Sequence, residues 1–295
     1  MADFSTVTTA DGRVLEYLVS GPPDGKTLLF QPGTPSAGML LSAVVEPAEQ
    51  LGLRVVSYSR PGYGQSTPRP GRGVADAVTD IETVLDAVGV ERFVTLGWSG
   101  GGPHALATGA LLPERCQAVA VLAGPAPYPA YGIDWFAGMD SGNVEEFGAA
   151  LAGKDELTAL LETFAAELGG VTGEGVTEGL GDLLSPVDRA ALTGEFAEEM
   201  AAGLRRAVSN GIAGWRDDDL AFVSYWGFDL AGISVPVAVW QGRQDRMVPF
   251  EHGQWLAAKV PNAQAHLFAT EGHLSMVSRF GEIFADLLEL ADRPR

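Results

Sequence analysis

Phe93-Val94-Thr95-Leu96-Gly97-Trp98-Ser99-Gly100-Gly101-Gly102-Pro103 is the stretch on which the reading of this chain turns. Glu91–Leu96 has the apolar, β-branched character of a short buried strand, and Pro103–Leu112 reads as a helix. A serine between them sits on a sharp strand-to-helix turn that projects its hydroxyl away from the backbone. Such a turn needs small residues two before and two after it, because neighbouring backbone passes close by. Gly97 and Gly101 fill those places, which makes Ser99 a candidate nucleophile. The glycines do not follow the Gly-x-Gly-x-x-Gly spacing of a dinucleotide loop, and no Gly-Lys-Ser/Thr follows. The competing reading is a glycine-rich turn without chemistry.

Working outward, Val14–Val19, Thr27–Phe30 and Leu53–Tyr58 read as strands upstream, and Val74–Val88 as an amphipathic helix with Val74, Val78, Ile81, Leu85 and Val88 on one face. Gln117–Leu122 is a further strand. Strands alternating with helices imply an α/β fold with a mostly parallel sheet covered on both faces. The rhythm stops near Gly124. Residues 125–229 are rich in Ala, Glu, Leu and Gly at helical spacing, with the clearest helices at Phe147–Leu151, Leu157–Leu168 and Asp188–Val208. The β pattern resumes at Val235–Trp240 and Ala265–Phe268, with helices at Gln254–Lys259 and roughly Leu274–Leu290. The expected organisation is a core of residues 1–124 and 230–295, with 125–229 as a helical insertion between two halves of one sheet.

A serine hydroxyl is a poor nucleophile until a base removes its proton, and the base needs an orienting acid. The chain holds four histidines. His104 falls inside the helix after the serine turn, His252 at an acidic helix start and His266 at the beginning of a strand; all three read as structural. His273, in Glu271-Gly272-His273-Leu274 between the last strand and the last helix, is the candidate base. Asp245 follows the strand Val237–Trp240 and emerges at the same sheet edge, which makes it the candidate acid; its competing reading is a turn former. Asp217–Asp219 are alternatives, expected to be solvated within the insertion.

Ser99, Asp245 and His273, in that chain order and after those strands, resemble the catalytic machinery of the α/β-hydrolase superfamily. The resemblance covers nearly the whole chain outside the insertion. It extends to Gln31-Pro32-Gly33-Thr34-Pro35, which is similar to the family's His-Gly-x-Pro oxyanion loop, with Pro32 where histidine is common. By that resemblance the backbone N–H groups of Thr34 and Gly100 are the oxyanion donors. Ser59-Arg60-Pro61-Gly62-Tyr63-Gly64-Gln65-Ser66 resembles the turn after the fourth strand, with Arg60 and Ser66 tying loops together beneath the site. The insertion resembles a helical cap roofing the site. Trp98, Trp135 and Trp215 are the candidate substrate-binding residues; Phe136, Phe164, Tyr225 and Trp226 are further aromatic residues for such a pocket, each with core packing as its alternative.

Composition sets the remaining bounds. With 295 residues and 46% hydrophobic residues the chain supports a sizeable core. A net charge of −19 repels nucleic-acid phosphates and anionic lipid. One cysteine, Cys116, excludes an internal disulfide and is expected to be packed. Met1–Arg13 lacks the pattern of a signal peptide, and no apolar run spans a bilayer, so a cytoplasmic protein without membrane or nucleic-acid partners is expected. No metal-ligand cluster and no cofactor motif is present. The resemblance implies a serine hydrolase cleaving an ester or related acyl bond of a small, fairly apolar molecule through an acyl-enzyme. C–C, amide and perhydrolase chemistry with the same triad are alternatives, as is a non-catalytic small-molecule-binding protein on this scaffold. Serine at the elbow argues against the dehalogenase and epoxide hydrolase relatives, which use aspartate there.

Overall fold

The computed structural model describes residues 4–293; the first three and last two residues of the expected core lie outside them. The strands are β1 (Ser5–Thr8), β2 (Val14–Ser20), β3 (Lys26–Gln31), β4 (Leu53–Tyr58), β5 (Phe93–Trp98), β6 (Cys116–Leu122), β7 (Val237–Gly242) and β8 (Gln264–Phe268). The helices are α1 (Ser42–Gln50), α2 (Ala77–Ala87), α3 (Gly101–Leu111), α4 (Ser141–Ala152), α5 (Lys154–Leu168), α6 (Gly173–Gly179), α7 (Pro186–Ala191), α8 (Gly194–Val208), α9 (Ala213–Phe222), α10 (Phe250–Lys259) and α11 (Phe280–Ala291). Short 3-10 turns lie at Gly181–Leu183, Leu230–Gly232 and Ser275–Arg279.

The strands form one sheet in the order β1-β2-β4-β3-β5-β6-β7-β8. All pairs from β4 to β8 are parallel, and β1 and β2 add an antiparallel edge. Alternation of side chains along each strand divides the core into two layers. Leu28, Phe30, Val94, Leu96, Ala120, Leu122 and Trp240 face α1 and α11, meeting Val44, Phe280, Phe284 and Leu287. Leu29, Phe93, Val119, Val121, Val237 and Val239 face the other side, where Ile81 and Leu85 of α2, Leu106 of α3 and Leu256 of α10 cover them. Cys116 is buried at the start of β6, as expected. None of the helices among the described residues is long and apolar enough to cross a membrane.

Between β6 and β7 lie α4 to α9. Leu157 and Leu161 of α5, Ala150 of α4, Ala207 of α8 and Trp215 of α9 make a smaller core together with Ala37 and Tyr63 from the loops after β3 and β4. The helix expected over Asp188–Val208 is two helices, because Gly194 takes a positive φ of 53° and the chain turns there. Likewise the last helix begins at Phe280, after a 3-10 turn that occupies Ser275–Arg279. The largest correction concerns Asp217–Asp219: all three are buried, not solvated, and Asp218 is fully so.

Candidate active site

Ser99 follows β5 directly and has φ of 55°, the left-handed conformation that turns the chain into α3. Its N–H donates to Leu122 O (2.8 Å), and its carbonyl accepts from Gly102 N–H (2.8 Å). The flanking glycines are obligatory. A Cβ on Gly97 would lie 2.2 Å from Gly101 O, and one on Gly101 would lie 2.0 Å from Gln31 O. The loop after β3 comes just as close: a Cβ on Gly33 would lie 3.1 Å from Ser99 Cβ. Thr34 and Gly100 are thereby set side by side, with a Cβ on Gly100 only 2.5 Å from Thr34 Oγ1. Neither the Thr34 nor the Gly100 N–H donates a hydrogen bond within the described residues.

His273 and Asp245 meet at the C-terminal edge of the sheet, Asp245 in the loop after β7 and His273 in the loop after β8. His273 Nδ1 lies 2.8 Å from Asp245 Oδ2, leaving Nε2 for the cavity. Asp245 is itself held by three donors: Met247 N (2.9 Å) and Val248 N (2.8 Å) on Oδ1, and Gln241 Nε2 (3.0 Å) on Oδ2. Burial works against a charge on His273, but Asp245, with help from Asp188, more than offsets this and raises its pKa above the ordinary 6.5. Trp98 stacks against the imidazole with ring centroids 6.2 Å apart.

Two supports hold this site, and in them Asp188 and Asp218 carry little sequence signal. Asp188, on α7, accepts from the backbone N–H groups of Leu274 (2.7 Å) and Ser275 (2.9 Å) and from Ser185 Oγ (2.7 Å), pinning the turn that carries His273. Ser185-Pro186 marks a helix start in the sequence, which is the only hint of it. The second support is a buried ion network. Arg60 donates to Pro32 O (2.7 Å) and Gly33 O (2.8 Å), fixing the loop after β3 that carries Pro32. Arg60 in turn is held by Asp218 (2.7 Å), which also accepts from Thr34 Oγ1 (2.8 Å) and Tyr63 Oη (3.0 Å) and lies 2.6 Å from Arg72 Nη2. Burial alone would raise the Asp218 pKa, but Arg60 and Arg72 hold it well below the usual carboxylate range. Ser66 ties the same region by donating to Ser59 O (2.6 Å) and accepting from Glu16 N–H (2.9 Å).

The remaining three histidines are held in contacts of their own. His104 is fully buried 3.5 Å from Asp218, its pKa pushed down to about 4 mainly by burial. His252 accepts from Ala126 N–H and bonds Trp135 O, and His266 stacks on Trp240 with centroids 3.9 Å apart.

Above Ser99 lies a cavity of about 530 Å³. Thr34, Trp98, Ser99, Gly100 and His273 form its floor, and Trp135, Phe147, Phe164, Leu204 and Trp215 line it from the segment between β6 and β7. Phe136, Tyr225 and Trp226 do not line it: Tyr225 points to solvent, 77% exposed, and Phe136 and Trp226 pack into the core. Asp140, Glu145, Glu146, Glu167, Asp182 and Asp219 are among the lining residues, and no lysine or arginine among the described residues is.

Comparison with known proteins agrees with this architecture. A family model for the alpha/beta hydrolase fold matches residues 26–280. A 2-hydroxymuconate semialdehyde hydrolase of Pseudomonas putida is 30% identical over 263 residues, covering 88% of this chain and 81% of its own. A 2-hydroxy-6-oxononadienedioate/2-hydroxy-6-oxononatrienedioate hydrolase of Cupriavidus pinatubonensis is 28% identical over 239 residues, covering 78% of this chain and 73% of its own. The crystal structure of a hydrolase from Pseudomonas aeruginosa shares the fold with a TM-score of 0.68 at 24% identity over 99% of each chain. With its eight-stranded sheet and serine-bearing elbow, the protein belongs to the α/β-hydrolase family.

Proposed function

We propose that the protein is a serine hydrolase cleaving an ester or related acyl bond of a small, fairly apolar molecule, with residues 125–229 as its cap. The observation that carries this reading is the placement of Ser99. It sits on a strained turn, opening on the same cavity as a histidine whose other nitrogen is held by Asp245. In the proposed reaction His273 Nε2 takes the Ser99 proton as Oγ attacks the carbonyl carbon. The Thr34 and Gly100 N–H groups hold the oxyanion, each such donor contributing about 3 kcal/mol. The intermediate collapses, and the leaving group departs with the proton from His273. A water deprotonated by the same nitrogen then attacks the acyl-enzyme and returns Ser99. Asp245 keeps the imidazole in the required tautomer and stabilises its cation. Trp98, Trp135 and Trp215 shape the apolar part of the substrate site.

A second reading, hydrolysis of a carbon–carbon bond beside a carbonyl, is favoured by the similarity to the two hydrolases named above. The relative from Cupriavidus is named for a dioate, a doubly carboxylated molecule, whereas the cavity here is lined by six acidic residues and by no lysine or arginine among the described residues. That contrast supports a substrate without carboxylates. Both readings are tested together by assaying p-nitrophenyl esters from acetate to octanoate beside 2-hydroxymuconate semialdehyde. Ester turnover that drops by about 10⁶-fold in Ser99→Ala is the expected result. Ester turnover surviving that substitution, or turnover of the semialdehyde alone, overturns the first reading.

A further inference from the structure

The polar groups at the cap end of the cavity are unlike those at its floor. Asp219, on α9, is fully buried and lines the cavity, yet neither of its carboxyl oxygens receives a hydrogen bond from any donor among the described residues. The adjacent Asp218 on the same helix is satisfied by Arg60, Arg72, Thr34 and Tyr63. The side chain that meets Asp219 is another carboxyl group, Glu146 of α4. Glu146 accepts from Trp215 Nε1 at 2.7 Å. Two carboxyl groups in contact, Asp219 fully buried and Glu146 half-buried, disfavour each other's charge unless something positive lies between them.

The surroundings indicate what that positive group is. Glu145, Glu167 and Asp182 rim the cavity on the exposed side, Asp140 stands half-buried beside them, and no lysine or arginine among the described residues lines the wall. An apolar cleft carrying one sign of charge concentrates ligands of the opposite sign. The rings of Phe164 and Trp215, with centroids 6.2 Å apart, line the same region and offer aromatic surface to a cation.

We propose that Glu146, Asp219 and Trp215 form a subsite that receives an alkylammonium group, so that the preferred substrates are acyl compounds carrying a cationic amine. This rests on reading the cavity as the substrate site. Without ligand, the two carboxyl groups share a proton. Burial, followed by the negative charge of Glu146, pushes the Asp219 pKa well up, Asp218 on α9 adds to this and Arg72 opposes it. On binding, the shared proton leaves to solvent and ammonium N–H groups donate to the two carboxylates in its place.

The test is equilibrium binding to the full chain by titration calorimetry, with n-hexylammonium, 1-hexanol and hexanoate as probes. Because it needs no turnover, its failure is distinguishable from absence of hydrolase activity. Hexylammonium is expected to bind at least about tenfold more tightly than hexanol, with hexanoate weakest. Its binding enthalpy should vary with the ionisation enthalpy of the buffer, as release of about one proton requires. Asp219→Asn and, independently, Glu146→Gln should each weaken hexylammonium about tenfold while hexanol affinity is retained, which also shows that the variant cavity is formed. Hexanol binding as tightly as hexylammonium, or hexylammonium affinity unchanged in a variant that still binds hexanol, overturns the proposal.

Discussion

Replacing Asp218 by Asn keeps the shape of the side chain and removes one buried negative charge. That charge faces two guanidinium groups, Arg60 at 2.7 Å and Arg72 at 2.6 Å, each of them almost completely buried. At an effective dielectric of 20, a pair about 4 Å between charge centres is worth about 4 kcal/mol, so the two attractions sum to about 8 kcal/mol. Several kcal/mol is recovered because the carboxylate charge no longer has to be desolvated. The expected net loss is about 4 kcal/mol of unfolding free energy, in the range for breaking a buried ion pair on one side. Urea unfolding of wild type and Asp218→Asn at pH 7.5, followed by tryptophan fluorescence and circular dichroism, measures it. Catalysis should fall with stability: Asp218 holds Thr34 Oγ1, and Arg60 holds Pro32 O and Gly33 O, so kcat for ester hydrolysis should drop in conditions where the variant is folded. A destabilisation below about 1 kcal/mol would refute the argument, since it would mean that the arginines are not uncompensated when the carboxylate is gone.

Three further outcomes follow from the same geometry. His104 titrates near 4 when folded and near 6.5 when unfolded, so between those values the unfolded chain binds a proton that the native one does not; stability therefore falls as pH drops through that window. His104→Gln should remove about 2–3 kcal/mol of the difference between urea unfolding at pH 7 and pH 4.5, and an equally steep loss in the variant would contradict this. Asp188→Ala leaves the Leu274 and Ser275 N–H groups without their acceptor, so kcat should fall by about tenfold or more with KM little changed; Asp188→Asn, which retains an acceptor, should restore most of it. Asp245→Asn should lower kcat by about 10⁴-fold. Because neutral His273 is the base and Asp245 raises its pKa, the acid limb of the pH–rate profile should also move to lower pH in that variant.

Seven of the eight strands were readable as short apolar runs set between turn residues, whereas β1 (Ser5–Thr8) was not read, being a short, polar and largely exposed edge strand without an apolar run. The serine turn was readable for a steric reason that the structure reproduces atom by atom, in the absence of room for a Cβ on Gly97 and Gly101. Asp217-Asp218-Asp219 was misread because three consecutive acids on a helix normally face water, and the arginines that bury Asp218 come from more than 140 residues upstream. No local pattern encodes such a pairing. Asp188 and the Glu146–Asp219 contact were hidden for the same reason, since each joins elements distant in sequence. The aromatic residues of the insertion divide by their place: Trp215 and Phe164, on helices α9 and α5, reach the cavity, whereas Trp226 and Phe136, on connecting segments, fill the core and Tyr225 faces solvent. The break between α7 and α8 rests on the positive φ of Gly194, in a segment whose alanines and charged residues favour a helix on either side.

The central claim is that Ser99 is an activated nucleophile. Labelling of the intact protein with a fluorophosphonate probe, read by mass spectrometry with peptide mapping, tests it most directly. The account requires a single adduct on Ser99 that is lost in His273→Ala. An adduct on another residue, or labelling of Ser99 that persists without His273, would contradict it.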